Sequence, residues 1–94
     1  MTTIRASDVR GALLRKGFVA SQSHHEMFQL VVDGRLTQIG TRLSHGERDC
    51  DDWLLGQIAR QLHIRKAELL RLVECSLSGE AYVAVLVNSG AVKP

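Results

Sequence analysis

The sequence predicts an α+β domain: a helix, a three-stranded antiparallel sheet, a second helix and then a C-terminal helical extension. Three observations carry that prediction. Asp33-Gly34 separates two runs rich in β-branched and large apolar residues, as a tight hairpin turn would. Trp53, Leu54, Ile58 and Leu62 then recur at helical spacing, the strongest helical pattern in the chain. Ninety-four residues, 45% of them apolar, make a single domain over 1–94, divided into a core at 1–63 and an extension at 64–90.

The first helix is expected over Ser7–Lys16, capped by Ser7 with Asp8 near the positive end of the helix dipole. Val9, Ala12 and Leu13 form its apolar stripe, Arg10, Arg15 and Lys16 its basic outer face, and Gly17 its stop. Phe18-Val19-Ala20 reads as a short strand beside the hairpin. The hairpin itself spans Ser23 to Gly46. With Asp33-Gly34 as its turn, Val32 faces Arg35, Leu30 faces Thr37, Phe28 faces Ile39 and His24 faces Leu43. Met27, Phe28 and Trp53 are expected in the core. Asp49 or Asp51 caps the second helix, Asp51 to about His63. A third helix covers Ile64–Val73, and a fourth starts at Leu77-Ser78 and ends at Asn88 and Gly90. The last four residues are expected to fray.

Composition narrows the function classes. No apolar run approaches the length needed to span a bilayer. The opening MTTIRASD lacks the apolar segment of a signal peptide. Cys50 and Cys75 lack metal-ligand spacing, and both are expected as reduced thiols of a cytoplasmic protein, with Cys75 as a small buried residue. Charge is uneven: residues 1–48 carry seven Lys/Arg against four Asp/Glu, and residues 49–94 carry five against six. A basic first half suits a polyanionic partner.

Three of the four histidines, His24, His25 and His45, lie at the two ends of the hairpin, which would bring them together. Histidine moves protons near neutrality. RNA cleavage needs a base to take the 2′-hydroxyl proton and an acid to protonate the departing 5′-oxygen, with cations such as Arg42 and Arg48 on the phosphate. Adjacent strand residues point to opposite faces, so His24 and His25 would not readily share one metal ion. No metal or other cofactor is expected. The bland reading is a set of solvated or hydrogen-bonded polar residues at strand ends.

Arg15-Lys16-Gly17-Phe18, Ser23-His24-His25 with Phe28 after it, Asp33-Gly34 and Ser44-His45-Gly46 followed by an amphipathic helix resemble the HicA family of toxin ribonucleases. The chain is most similar to that family's longer relatives, which carry a helical tail like Leu55–Leu86. The resemblance implies a fold like a double-stranded-RNA-binding domain and metal-independent cleavage of mRNA by a histidine. It also implies a HicB-like antitoxin partner. It puts His24 at the family's catalytic position and His45 at its second histidine. Gln22 stands where the family usually has Gly, and the tail is absent from its compact members. A strict strand would turn His25, with Met27, Gln29, Gln38 and Arg42, toward solvent, and His24 toward the apolar face. A bulge near Ser23, or a strand starting after His24, would restore the family assignment. The expectation is an RNA-binding protein with Arg15, Lys16, Arg42 and Arg48 on RNA. The resemblance implies in addition an mRNA endoribonuclease, for which His24, His25 and His45 are the catalytic candidates. The C-terminal helices are a place for a second copy to bind. The alternative is a non-catalytic RNA-binding or protein-interaction module on the same fold.

Overall fold

The computed structural model describes residues 3–74 and 76–92. Cys75, and Lys93 and Pro94 of the expected frayed end, lie outside the described residues. The elements are β1 (Ile4–Arg5), α1 (Ala6–Arg15), β2 (Phe18–Gln22), β3 (Glu26–Val32), β4 (Arg35–Leu43), β5 (Asp49–Cys50), α2 (Asp52–Gln61), α3 (Lys66–Val73) and α4 (Gly79–Ser89). An α+β domain with an antiparallel β2-β3-β4 sheet is what the sequence predicts, and it is what forms.

The hairpin turns at Asp33-Gly34 with φ of +52° and +76°, the double positive φ of a type I′ turn. Val32 pairs with Arg35 as expected. Beyond Val31–Leu36 the register departs from expectation: Leu30 on β3 is opposed by Thr37, Gln38 and Ile39 on β4. Phe28 therefore pairs with Thr41 rather than Ile39, and Glu26 rather than His24 pairs with Leu43. Thr37 holds this bulge together. Its hydroxyl donates to the Leu30 carbonyl at 2.9 Å and accepts from the Ile39 amide at 3.1 Å, satisfying groups the ladder leaves unpaired. Two extra residues preserve the facing of every side chain. Phe28, Leu30, Ile39, Thr41 and Leu43 thus stay on one buried face.

Residues of all four helices join that face in one core cluster, to which Val9, Leu13, Leu55, Ile58, Leu69, Leu72, Tyr82 and Leu86 contribute. On α2 the buried stripe is Leu55, Ile58 and Ala59, with Leu62 just past its end. That is i, i+3, i+4, i+7, the spacing of a single helix face. Trp53 lies off this stripe and is 72% exposed, so its expected place in the core is wrong. Met27 is likewise on the outer sheet face, 40% exposed.

Helix starts follow the expected chemistry at α2 and α4. Asp51 accepts from the Leu54 amide at 2.8 Å, and Ser78 accepts from the Ala81 amide at 3.1 Å. Ser7 does not cap α1. The β1–β5 pair, Ile4 with Cys50 and Arg5 with Asp49, delivers the chain straight into the helix, and the Ala6 amide donates to the Arg48 carbonyl at 2.8 Å. A backbone acceptor from a distant loop thus replaces the side-chain cap. At the other end of the chain Ala91 and Val92 do not fray: their amides reach the Leu86 carbonyl, and Val92 is buried.

α3 and α4 belong to the same core as the sheet. Tyr82 stacks on Phe18 of β2 with ring centroids 5.9 Å apart, and its hydroxyl donates to the Leu62 carbonyl at 3.0 Å. That carbonyl is one of those a helix end leaves without an internal partner. Burial of the phenol pushes its pKa well above the ordinary tyrosine value.

Candidate functional site

The sheet gathers two loops at one end. β2 and β3 are joined by Ser23-His24-His25, and β4 leaves the sheet into Ser44-His45-Gly46. The Glu26–Leu43 pair sets the loops side by side. His45 Nε2 then lies 2.9 Å from the Ser23 carbonyl oxygen, linking one histidine loop to the other. The Ser23 amide donates to the His25 carbonyl at 3.1 Å, which closes the first loop. His24 and His45 are exposed, and His25 is half-buried.

β3 begins at Glu26, so both His24 and His25 precede the strand. Strand alternation therefore does not force His24 onto the apolar face. The loop leaves it exposed instead. His25 lies on the Arg42 side, in a groove that also includes Trp53, Gln57 and Gln61.

One cation secures both loops, and sequence reading placed it elsewhere. Arg10 Nε donates to Glu26 Oε1 at 2.6 Å, and Arg10 Nη2 approaches the Glu47 carbonyl at 3.5 Å. Arg10 is half-buried in this contact rather than part of a solvated basic face. The signal available in the sequence was its spacing. Arg10 follows Ala6 and Val9 of the buried stripe by four and one residues, so it borders the core face of α1.

The four arginine and lysine candidates separate into two pairs. Arg42 pairs across the sheet with Met27 and is exposed on the outer face next to the His25 groove. Arg48 is exposed in the loop after His45, its carbonyl held by the Ala6 amide. Arg15 and Lys16 lie at the opposite end of the sheet, where β2 begins. Arg15 borders a groove with Leu70 and Val73 of α3 and with Glu74 just past its end. The Lys16 carbonyl sits against Gly79 at the start of α4. The length of β2 separates them from the histidines, roughly 13 Å over four strand steps.

Cys50, the second residue of β5, is fully buried. Burial first, and the Glu47 carboxylate second, push its thiol up to about 11, so it is a packing residue and not a nucleophile. Among the described residues, no group of three or more His, Cys, Asp or Glu side chains is placed to hold a metal ion, and no helix is long and apolar enough to cross a membrane. Comparison with protein-family models, curated proteins and solved structures finds no match to this chain.

Proposed function

We propose that this chain is an RNA-binding domain resembling the HicA toxin ribonucleases, and that it cleaves mRNA without a metal through its histidine loops. The observation that carries the reading is the gathering of His24, His25 and His45 at one end of the sheet, with His45 hydrogen-bonded to the Ser23 carbonyl beside an exposed His24. The order of helix, three antiparallel strands and helix, with the helices on one sheet face, supports likeness to a double-stranded-RNA-binding domain. Arg42 and Arg48 stand at the same end as the histidines and supply positive charge for a phosphate.

In this reading His24 takes the proton of a 2′-hydroxyl. The resulting oxygen attacks the adjacent phosphorus, and the bond to the 5′-oxygen breaks. His25 or His45 protonates that leaving oxygen. The products are a 2′,3′-cyclic phosphate and a 5′-hydroxyl end. Purified protein incubated with a long RNA in a chelator should yield those ends. His24→Ala should lower the rate by about 10² to 10⁴ while leaving the thermal melt unchanged. If His25→Ala is inactive and His24→Ala active, the roles of the two exchange. Parent-like cleavage by all three single variants removes the catalytic reading.

A second reading has an observation of its own. The outer face of the sheet exposes Val19 (48%) and Leu36 (62%) together with Met27. Such a face suits a non-catalytic module that binds a protein, including a HicB-like antitoxin. Val83 and Val87 on α4 are half-buried and stand outside the core cluster, which supports self-association through the C-terminal helices. Pulling down RNA with the wild-type chain, and failing to detect cleavage at any pH from 5 to 9, would favour binding without catalysis.

A further inference from the structure

We propose that Trp53 and Arg42 form a platform for one unpaired base of an RNA strand, beside His25 at the histidine end of the sheet. This rests on the RNA-binding reading and adds to it where the strand runs and that it is single-stranded there. Trp53 is on the first turn of α2, 72% exposed, although an indole is among the largest apolar surfaces a chain can bury. It borders a cavity of about 270 Å³ shared with His25, Arg42, Gln57 and Gln61. That is slightly below the roughly 300 to 1,000 Å³ of pockets for drug-sized ligands, room for one ring system and not for an element of secondary structure.

Leu43, Leu54 and Ile58 also line the cavity, and the polar groups beside them favour a flat base with a polar edge over a purely apolar side chain. Arg42 is exposed and forms no ion pair among the described residues. Gln57 and Gln61 each bring an amide with both donor and acceptor capacity, which is what the edge of a base offers in return. Gln61 already accepts from the Thr41 hydroxyl at 2.5 Å, which orients its amide. Two carboxylates adjoin Trp53 in sequence, and both are engaged. Asp51 caps α2 by accepting from the Leu54 amide, and Asp52 is paired with Lys66 of α3. The Lys66 hydrogen bond holds the Asp52 carboxyl below its ordinary pKa. A phosphate would avoid that side and meet Arg42, while the base, uncharged, lies over the indole. A second groove shares Arg42 and Gln61 and crosses β4 at Gly40 onto Met27 and Gln29 of β3, giving a strand a path away from the platform. Bases in a duplex are already stacked on one another, so only an unpaired base reaches the indole.

The chain has one tryptophan, so its emission reports this position alone. The test titrates the full chain, carrying His24→Ala to prevent cleavage, with a mixed-sequence single-stranded RNA of about eight nucleotides. A matching duplex and an abasic ribose-phosphate strand serve as the other probes. The single strand should quench Trp53 emission, and the duplex and abasic strand should not. Trp53→Ala, followed with end-labelled RNA, should weaken binding about 5- to 140-fold, and Trp53→Phe should restore most of it. Single-stranded RNA that binds with unchanged emission, and equally well to Trp53→Ala, overturns the platform and leaves the RNA-binding reading standing. No binding of any RNA overturns both. Quenching or a blue shift that grows with protein concentration in the absence of RNA overturns it too, and assigns the groove to another copy of the chain.

Discussion

His63 is the residue whose backbone is most at odds with its type. It follows α2 at φ +60°, a left-handed conformation that costs a residue with a Cβ roughly 1 to 2 kcal/mol. The position is imposed by the helix end. The Ile64 amide reaches back to the Ala59 carbonyl at 3.0 Å and the His63 amide to Arg60 at 3.2 Å, the pair of bonds that closes a helix on a left-handed residue. His63→Gly should therefore stabilise the fold by about 0.5 to 1 kcal/mol, net of the extra entropy glycine has when unfolded. A denaturant midpoint that falls would refute this. Tyr82→Phe should act in the opposite sense. It leaves the Leu62 carbonyl buried without its donor, at a cost of about 1 to 3 kcal/mol read from urea unfolding. Trp53→Ala should change stability by no more than about 0.5 kcal/mol, as befits an exposed side chain.

The β4 strand shows how much of an element can be read from residue types and where that stops. Asp33-Gly34 named the turn, and β-branched runs named the strands, because both signals are local. The bulge at 37–39 was not legible: an inserted pair of residues keeps the alternation of buried and exposed side chains, so periodicity is blind to it. Its mark in the sequence is Gly40. A Cβ there would lie 2.5 Å from the Phe28 carbonyl, so the strand next to the bulge has room only for glycine. Gly40→Ala should consequently destabilise the domain by about 1 to 3 kcal/mol, the usual cost of overpacking, and Thr37→Val should lose about 1 to 3 kcal/mol by stranding the Leu30 carbonyl and Ile39 amide. Both are measurable by chemical unfolding. The stripe of α2 was misread for a related reason. Trp53 is the most apolar-looking residue in the helix, but Leu55, Ile58, Ala59 and Leu62 fit a single face better, and geometry outranks size. That the hairpin ends holding His24, His25 and His45 return to one end of the sheet was legible from the hairpin, though not the register that puts Glu26 in place of His24 opposite Leu43. Arg10 reaches that end across 16 positions to Glu26 and 37 to Glu47, a contact no local pattern encodes.

Across the whole molecule, charge is divided as the elements are. Arg42 and Arg48 stand with the histidines, and Arg15 and Lys16 stand beyond the far end of β2. A short strand that lies over the histidine loops should engage only the first pair. Each phosphate neutralised on a single strand contributes about −0.7 to the slope of log affinity against log salt, so two contacts predict a slope near −1.4. A longer RNA that also reaches Arg15 and Lys16 should approach about −2.8. Arg42→Gln and Arg48→Gln should each flatten the short-strand slope by about 0.7, while Lys16→Gln should leave it alone and flatten only the long-strand slope. The measurement is binding of two lengths of RNA between low and moderate salt, with the His24→Ala chain, which the proposed mechanism makes unable to cleave. If Lys16→Gln and Arg42→Gln affect the short strand equally, RNA does not start at the histidine end and the loops there lose their claim to the substrate. If neither length shows a salt slope, phosphate contacts contribute nothing and the basic first half of the chain is only a solvated surface.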